Sequence, residues 1–325
     1  NLNPDIYFII LDAYAGEKVL KKYHNFDNQN FINNLREKGF FVHDESYSNY
    51  AATIPSLGST FNMNYLDENT ERKDIYAMFP KSQVVKILDA QNYKIIDFQK
   101  HSVTFEIPVV DKTLCKKDSN RYTDTRLMDQ LVKYTPLSTL IVIVPPEQDM
   151  DSQLCLFAEL PKTQNMFKDP TFVFAHSLVT HTPYFYNSDG EAVNPPKVDD
   201  EHYIYAIKFA NKQMIQIVNK LQNVENPPII IIVGDHGSPS ISNNNVSDEE
   251  KIIQEHQNLF AIYFPDENYE LVKETRTTVN IFRIIFNQFF NSNYELIEDR
   301  TFTSLAGEWY NLDETTSITI NHGMN

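Results

Sequence analysis

A single α/β domain, built on a mostly parallel central sheet with helices on both faces, is the fold class that the sequence predicts. Three observations predict it. Short runs of strand length occur at Ile6–Leu11, Thr171–Leu178 and Ile229–Val233, mostly apolar, the pattern of strands buried on both faces. Helical stripes stand between such runs, the longest over Asp200–Val224 through Tyr205, Ile207, Phe209, Met214, Ile217 and Leu221. The chain has 325 residues, 42% of them hydrophobic, enough for one large core.

Each element follows from its own signals. The run Ile6–Leu11 gives way to the small-residue loop Asp12-Ala13-Tyr14-Ala15-Gly16. Asp27–Glu37 predicts a helix with Asp27 as N-cap and Phe31, Ile32 and Leu35 on one face. Phe40–Val42 is a short strand, and Ser56–Met63 is a helix entered through Pro55. Val84–Leu88 is a helical stripe before a strand at Tyr93–Phe98. Lys112–Tyr122 is polar and irregular, and predicts an excursion from the fold. Arg126–Tyr134 and Ser152–Leu160 are helical, Leu259–Phe264 is a strand, and Val279–Phe290 is a strongly apolar helix. Ser317–Ile320 predicts an edge strand. No repeat or linker interrupts the pattern, so one domain over residues 1–325 is expected, with a small C-terminal subdomain as its only elaboration.

Composition excludes some functions. The 44 acidic residues outnumber the 28 Lys and Arg, a net charge of −16, which disfavours general nucleic-acid binding. Such a surface repels polyanions at long range, so a phosphate site needs a local cation. The two cysteines, Cys115 and Cys155, form no CxxC or zinc pattern; a disulfide and two unrelated core thiols both remain open. No apolar run reaches the ~18 residues of a membrane span; Leu140–Val144 and Ile229–Val233 are of strand or core length.

Ligands of open α/β sheets sit beyond the carboxyl ends of strands. Asp12 follows the first run, Gly234-Asp235-His236-Gly237 follows Ile229–Val233, and Thr180-His181-Thr182-Pro183 follows Thr171–Leu178. Carboxylate oxygens with imidazole nitrogen suit Zn²⁺ or Mn²⁺. A lone Asp12 is more often a turn former. The Asp235-His236 pair is a stronger signal, because an acid directly after five apolar residues is costly to bury without a partner, and the flanking glycines let both side chains turn toward one ion. Thr53 sits just before a Pro-initiated helix, where free N–H groups favour an anion; read alone, Thr53 or Ser56 is simply an N-cap. His176, inside a buried run, reads as a hydrogen-bonded core histidine, and His202 as a surface residue heading a helix. His24, His43, His101 and His322 carry no motif.

Taken in order, these pieces resemble the alkaline phosphatase/sulfatase superfamily over nearly the whole chain. Asn3-Pro4-Asp5-Ile6 through Asp12-Ala13-Tyr14 resembles the first strand and its acidic metal ligand, Thr53-Ile54-Pro55-Ser56 the nucleophile turn, and Val233-Gly234-Asp235-His236-Gly237 the paired ligands. His181-Thr182-Pro183 resembles a segment whose histidine contacts substrate or a second ion, and His256-Gln257-Asn258 lies where a further substrate-binding residue is often placed. The resemblance is greatest to bacterial sulfatase-like proteins whose soluble domain follows membrane helices, such as lipoteichoic acid synthases and phosphoethanolamine transferases.

That resemblance implies an alkaline phosphatase-like fold and one divalent ion, Zn²⁺ or Mn²⁺ before Mg²⁺ or Ca²⁺, held by Asp12, Thr53, Asp235 and His236. It implies catalysis by Thr53, His181 and His256 on a phosphate or sulfate ester, lipid- or glycan-linked in some relatives. It further implies an extracytoplasmic domain tethered to the bacterial inner membrane by segments outside this sequence. Departures shape the expected chemistry. Sulfatases use a Cys or Ser, oxidised to formylglycine, in a C/S-x-P-x-R turn; here Thr53 and Leu57 hold the nucleophile's and the arginine's places. Threonine cannot yield formylglycine, so phosphoryl transfer through a phosphothreonine is expected over sulfate-ester hydrolysis or a non-catalytic metal-binding domain. Ala13 replaces a second acidic residue, and no D-x-x-x-H pair for a second zinc is found, so one ion is expected.

Overall fold

The sequence IYFIIL at Ile6–Leu11 is buried at every position, which only a central strand covered on both faces allows. A computed structural model describes residues 3–67, 82–98, 107, 109–115, 148–238, 246–303 and 312–320. The expected helix Arg126–Tyr134, the run Leu140–Val144, His101 and His322 lie outside the described residues.

In chain order the strands among the described residues are β1 (Ile6–Leu11), β2 (Phe41–Val42), β3 (Ser46–Tyr47), β4 (Lys94–Phe98), β5 (Lys112–Leu114), β6 (Thr171–Ser177), β7 (Tyr184–Tyr186), β8 (Ala192–Lys197), β9 (Ile229–Val233), β10 (Gln257–Asn258), β11 (Phe260–Tyr263), β12 (Phe302–Thr303) and β13 (Asp313–Glu314). Seven form the main sheet in the order β2-β11-β9-β1-β6-β4-β5. The block β9, β1, β6, β4 and β5 is parallel throughout, and β11 and β2 add antiparallel pairings at one side. The sheet is therefore mostly parallel, as expected.

The helices that matter below are α1 (Glu17–Tyr23), α2 (Gln29–Glu37), α3 (Thr53–Asn62), α4 (Gln83–Ala90), α5 (Gln148–Glu159), α6 (Asp200–Gln222), α7 (Asp248–His256), α8 (Glu270–Lys273) and α9 (Ile281–Phe289). Alternate strand residues feed two cores. On one face Tyr7, Ile9, Leu11, Val173, Ile230 and Ile232 pack against α1, α2, α5 and α6. On the other Ile6, Phe8, Ile10, Phe174, Ile231 and Val233 pack against α3, α4 and α9. Phe8 anchors that second core, with ring centroids 5.7 Å from Phe61 and 5.2 Å from Phe282 in edge contacts.

Two expectations are corrected, and one that the sequence leaves open is decided. Ser317–Ile320 is not an edge strand: Thr316–Thr319 forms a short helical turn in which Thr319 Oγ1 bonds Thr301 Oγ1 and donates to Thr315 O, a local alternative to a ladder. The polar stretch from Lys112 begins not as an excursion but as β5, which extends the parallel sheet beside β4. Cys115, next after β5, is joined to Cys155 of α5, with Cα atoms 5.8 Å apart. Helices α1 and α7 have no counterpart in the sequence-based reading.

Candidate active site

Strands β1 and β9 are neighbours with Ile10 level with Val233, so the residues just beyond them leave the sheet side by side. Asp12 and Asp235 are both almost fully buried there. Ala13 takes a left-handed backbone, φ 56°, and directs its N–H to Asp235 Oδ1 at 3.0 Å. A non-glycine residue in that region carries strain of order 1 kcal/mol, a cost often met at functional sites. His236 N–H reaches the same oxygen at 3.0 Å. The flanking glycines are needed for close approach: a Cβ on Gly234 would lie 2.4 Å from Tyr14 O, and one on Gly237 2.0 Å from Gln254 O.

The remaining carboxylate oxygens are left over. Asp12 Oδ1 and Asp235 Oδ2 are buried and have no hydrogen-bond partner among the described residues. His236 donates from Nδ1 to Gly237 O at 2.8 Å, which leaves Nε2 as the atom with a lone pair. That nitrogen lies 3.7 Å from Asp12 Oδ1 and 3.8 Å from Asp235 Oδ2, too far for hydrogen bonds and apt for an ion between them. One ligand atom from each of Asp12, Asp235 and His236 falls within 4.8 Å of the others. Two orphaned carboxylate oxygens and an oriented imidazole fit a divalent cation of the zinc or manganese type.

The electrostatics mark a place that favours positive charge. Burial alone would raise the Asp12 carboxyl, but the hydrogen bond from His176 and the imidazoles of His176, His181 and His236 hold it below the ordinary carboxylate range. Burial pulls His236 down, while Asp235 and Asp12 outweigh it and raise it.

Thr53 is the first residue of α3, and Ala52, in extended conformation, is the N-cap with no side-chain cap bond. Its hydroxyl is therefore not consumed as a cap; it lies 3.4 Å from Asp12 Oδ2. The rival serines differ. Ser56 Oγ donates to Asp235 O at 2.6 Å, Ser48 Oγ donates to Tyr50 O at 2.8 Å, and Ser59 is fully buried. Leu57, in the place of the sulfatase arginine, is buried in the core beneath α3.

The structure thus brings Asp12, Thr53, Asp235 and His236 together. His181 is half-buried beyond β6, and its imidazole is among those whose charge acts on Asp12. His256 is fully buried with both ring nitrogens engaged, Nδ1 with Ser48 O at 2.8 Å and Nε2 with Thr303 Oγ1 at 2.6 Å. No hydrogen bond among the described residues joins it to the four. His176, read from sequence as a core histidine, is indeed buried and hydrogen-bonded, but its partner is Asp12 Oδ2 at 2.9 Å. Its register opposite Ile10 puts it on the face that carries Asp12; that adjacency of β1 and β6 is what the sequence lacks. Asp97 of β4, on the same face, is pushed by burial to about 7, with His176 opposing the rise. An acid inside an apolar strand is the signal that marks it.

A family model described as Sulfatase matches residues 4–289. No curated protein matches the sequence. Among solved structures the fold is similar to the C-terminal periplasmic domain of EptC from Escherichia coli, with a TM-score of 0.63 at 11% identity, covering 98% of this chain and 94% of that one. It is also similar to the integral membrane lipooligosaccharide phosphoethanolamine transferase EptA from Neisseria meningitidis, with a TM-score of 0.59 at 10% identity over 89% of this chain and 55% of that one. The lipoteichoic acid synthase LtaP from Listeria monocytogenes gives a TM-score of 0.54 at 14% identity over 91% and 74%. Identities this low speak for the fold; the family model, which spans most of the sequence and every residue of the Asp12, Thr53, Asp235 and His236 cluster, shows that the chain belongs to the sulfatase family.

Proposed function

We propose that the protein is a metal-dependent phosphoryl-transfer enzyme that works through a phosphothreonine at Thr53. The observation that carries this reading is the Thr53 hydroxyl at the N-terminus of α3, 3.4 Å from Asp12 Oδ2, in a site where Asp12 Oδ1 and Asp235 Oδ2 are buried with no hydrogen-bond partner among the described residues. Asp12, Asp235 and His236 would hold one divalent ion, which supplies a Lewis acid that lowers the pKa of a bound hydroxyl and offsets charge on phosphoryl oxygens. Thr53 Oγ gives up its proton to solvent and attacks phosphorus, and the bond to the departing alcohol breaks in line with that attack. The first N–H groups of α3 face the phosphoryl group and favour its negative charge. His181 protonates the leaving alcohol or steadies the phosphate. Water, or an acceptor hydroxyl, then displaces Thr53 and restores its O–H. His256, with both nitrogens engaged, supports the segment around Ser48 that leads into Thr53.

The substrate class we infer is a lipid- or glycan-linked phosphate ester of the cell envelope. Support comes from fold neighbours named for lipooligosaccharide and lipoteichoic acid. An extracytoplasmic location fits the Cys115–Cys155 disulfide, since such bonds persist in oxidising compartments, and the periplasmic domain of EptC. Among the described residues no helix is long and apolar enough to cross a membrane; tethering would use segments outside this sequence.

The test is elemental analysis of the purified protein, then a screen of phosphate monoesters, diesters and sulfate esters with that metal restored. Thr53→Ala should lose at least ~10³-fold in turnover and all labelling by a ³²P-phospho donor. Thr53→Ser should keep measurable activity. Near wild-type turnover in Thr53→Ala, with loss in Ser56→Ala, would move the nucleophile by one turn.

A further inference from the structure

The first turn of α6 touches both of the loops that carry the proposed metal ligands. Tyr203, fully buried, donates its hydroxyl proton to Ala13 O at 2.8 Å and accepts from Ala15 N–H at 3.1 Å, so it grips the loop that follows Asp12. Three residues earlier, Asp200 Oδ1 lies 2.5 Å from His24 Nδ1, and His24 Nε2 lies 2.9 Å from Ser238 Oγ. Ser238 is two residues past His236. The two arms touch each other as well, the rings of His24 and Tyr203 having centroids 4.9 Å apart.

Asp200, His24 and Ser238 have the order and spacing of a hydrolytic serine triad. Ser238 is 0% exposed and His24 is buried, so no substrate reaches the hydroxyl and the array holds backbone in place. The carboxylate fixes the imidazole so that Nδ1 donates and Nε2 accepts, and the imidazole then fixes Ser238. One helical turn thereby sets how far the loop after β1 stands from the loop after β9.

We propose that Tyr203 and the His24–Asp200 pair are positioning residues that set the separation of Asp12 from Asp235 and His236, and so tune affinity for the metal. This rests on the reading that those three residues hold the ion. The physical reason is that a chelate gains affinity only when its ligands are held near their bound spacing without an ion, and outer partners of ligands are worth about 10- to 100-fold in affinity.

The experiment is competition for Zn²⁺ between the metal-free protein and a chromophoric chelator, at a temperature where circular dichroism shows each variant folded. Tyr203→Phe deletes one hydroxyl and should weaken Zn²⁺ binding by about 10-fold or more. Tyr184→Phe is the matched control, a buried tyrosine 5.7 Å from Tyr203 whose hydroxyl has no partner, and should leave affinity unchanged. His24→Phe should weaken binding similarly, and His24→Gln, which can still reach Ser238, should recover part of the loss. If His24→Phe does not fold, Tyr203→Phe and His24→Gln decide. Zn²⁺ affinity within twofold of wild type in Tyr203→Phe and both His24 variants would overturn the proposal. Asp235→Asn separates the two levels: retained Zn²⁺ binding there would overturn the metal-site reading itself, whereas its loss beside unaffected Tyr203 and His24 variants would overturn the positioning role alone.

Discussion

Two buried polar clusters lie near the carboxyl end of the sheet, and they differ in how completely they are satisfied. Around His256 the buried groups Asn49, Asp299 and His256 are each matched. Asn49 accepts from Thr278 Oγ1 at 3.2 Å and Val279 N–H at 3.0 Å and donates to Arg300 O at 2.8 Å. Asp299 takes bonds from Arg276 N–H and from both donors of Thr277, and His256 bridges Ser48 to Thr303. Around Asp12 and Asp235 two oxygens are buried with nothing to bond. A closed network spends its donors on holding the chain together. An open one made of anions costs stability, and its persistence in a folded enzyme points to a cation as the missing partner.

The largest expected effect separates the clusters by charge. Asp235→Asn keeps the Oδ1 acceptor used by Ala13 and His236 and removes the negative charge. Turnover should fall by ~10³-fold or more as metal is lost, while the metal-free protein melts at the same temperature or higher. A stoichiometric ion in the variant, measured by elemental analysis, would break the comparison.

His256→Ala should behave in the opposite way. It leaves Ser48 O and Thr303 Oγ1 unpaired around a cavity, a cost of about 3 kcal/mol or more in chemical denaturation, with metal content nearly intact. Loss of the ion would make His256 part of the site. The wild type should show the same residue through pH. Burial lowers His256 to about 4, against an ordinary 6.5. Above pH 6.5 the imidazole is neutral folded or unfolded. As pH falls from 6.5 to 4 the unfolded chain takes up the proton first, and stability should drop by roughly 3 kcal/mol. His256→Gln should flatten that limb of the curve.

Asp97 sharpens the contrast with the opposite sign. Its carboxyl is raised to about 7 from an ordinary 3.8, with burial as the leading cause. Below pH 3.8 it is protonated in both states and costs nothing. Between 3.8 and 7 the unfolded chain loses the proton first, so stability falls as pH rises, and above 7 the cost is constant. Asp97→Asn should therefore stabilise the metal-free protein by a few kcal/mol at pH 8 and by almost nothing at pH 4. Equal melting shifts at both values would show that Asp97 is not held against its charge.

Much of the site is legible in the sequence because Asp12 directly follows one apolar strand and the Asp235-His236 pair follows another after a single glycine, where a buried acid needs a partner. The family resemblance selects Thr53, and the engagement of Ser56 with Asp235 O is visible only in three dimensions. Strand order is the larger gap. Nothing local says that β1 lies between β6 and β9, and without that neither the contact of His176 with Asp12 nor the place of Asp97 follows. Helix α1 escapes because only Val19 and Leu20 of its seven residues are buried, too few to make a stripe. β5 escapes because three residues of a sheet edge, KTL, need no apolar pattern. His256 enters the sequence reading through the family resemblance, and its ring partners, Ser48 and Thr303, escape it because they are 208 and 47 positions away.

The placement of the ligands after β1 and β9 has a kinetic consequence. Both strands are interior to the sheet, β1 between β6 and β9, and β9 between β1 and β11. Their amides are the kind that open only with the whole domain. Release of an ion from the proposed site would not require those amides to open, because the proposed ligands lie beyond the strand ends. Metal exchange and chain opening therefore run on separate clocks: a chelator should empty the site in minutes while the β1 and β9 amides remain protected from deuterium.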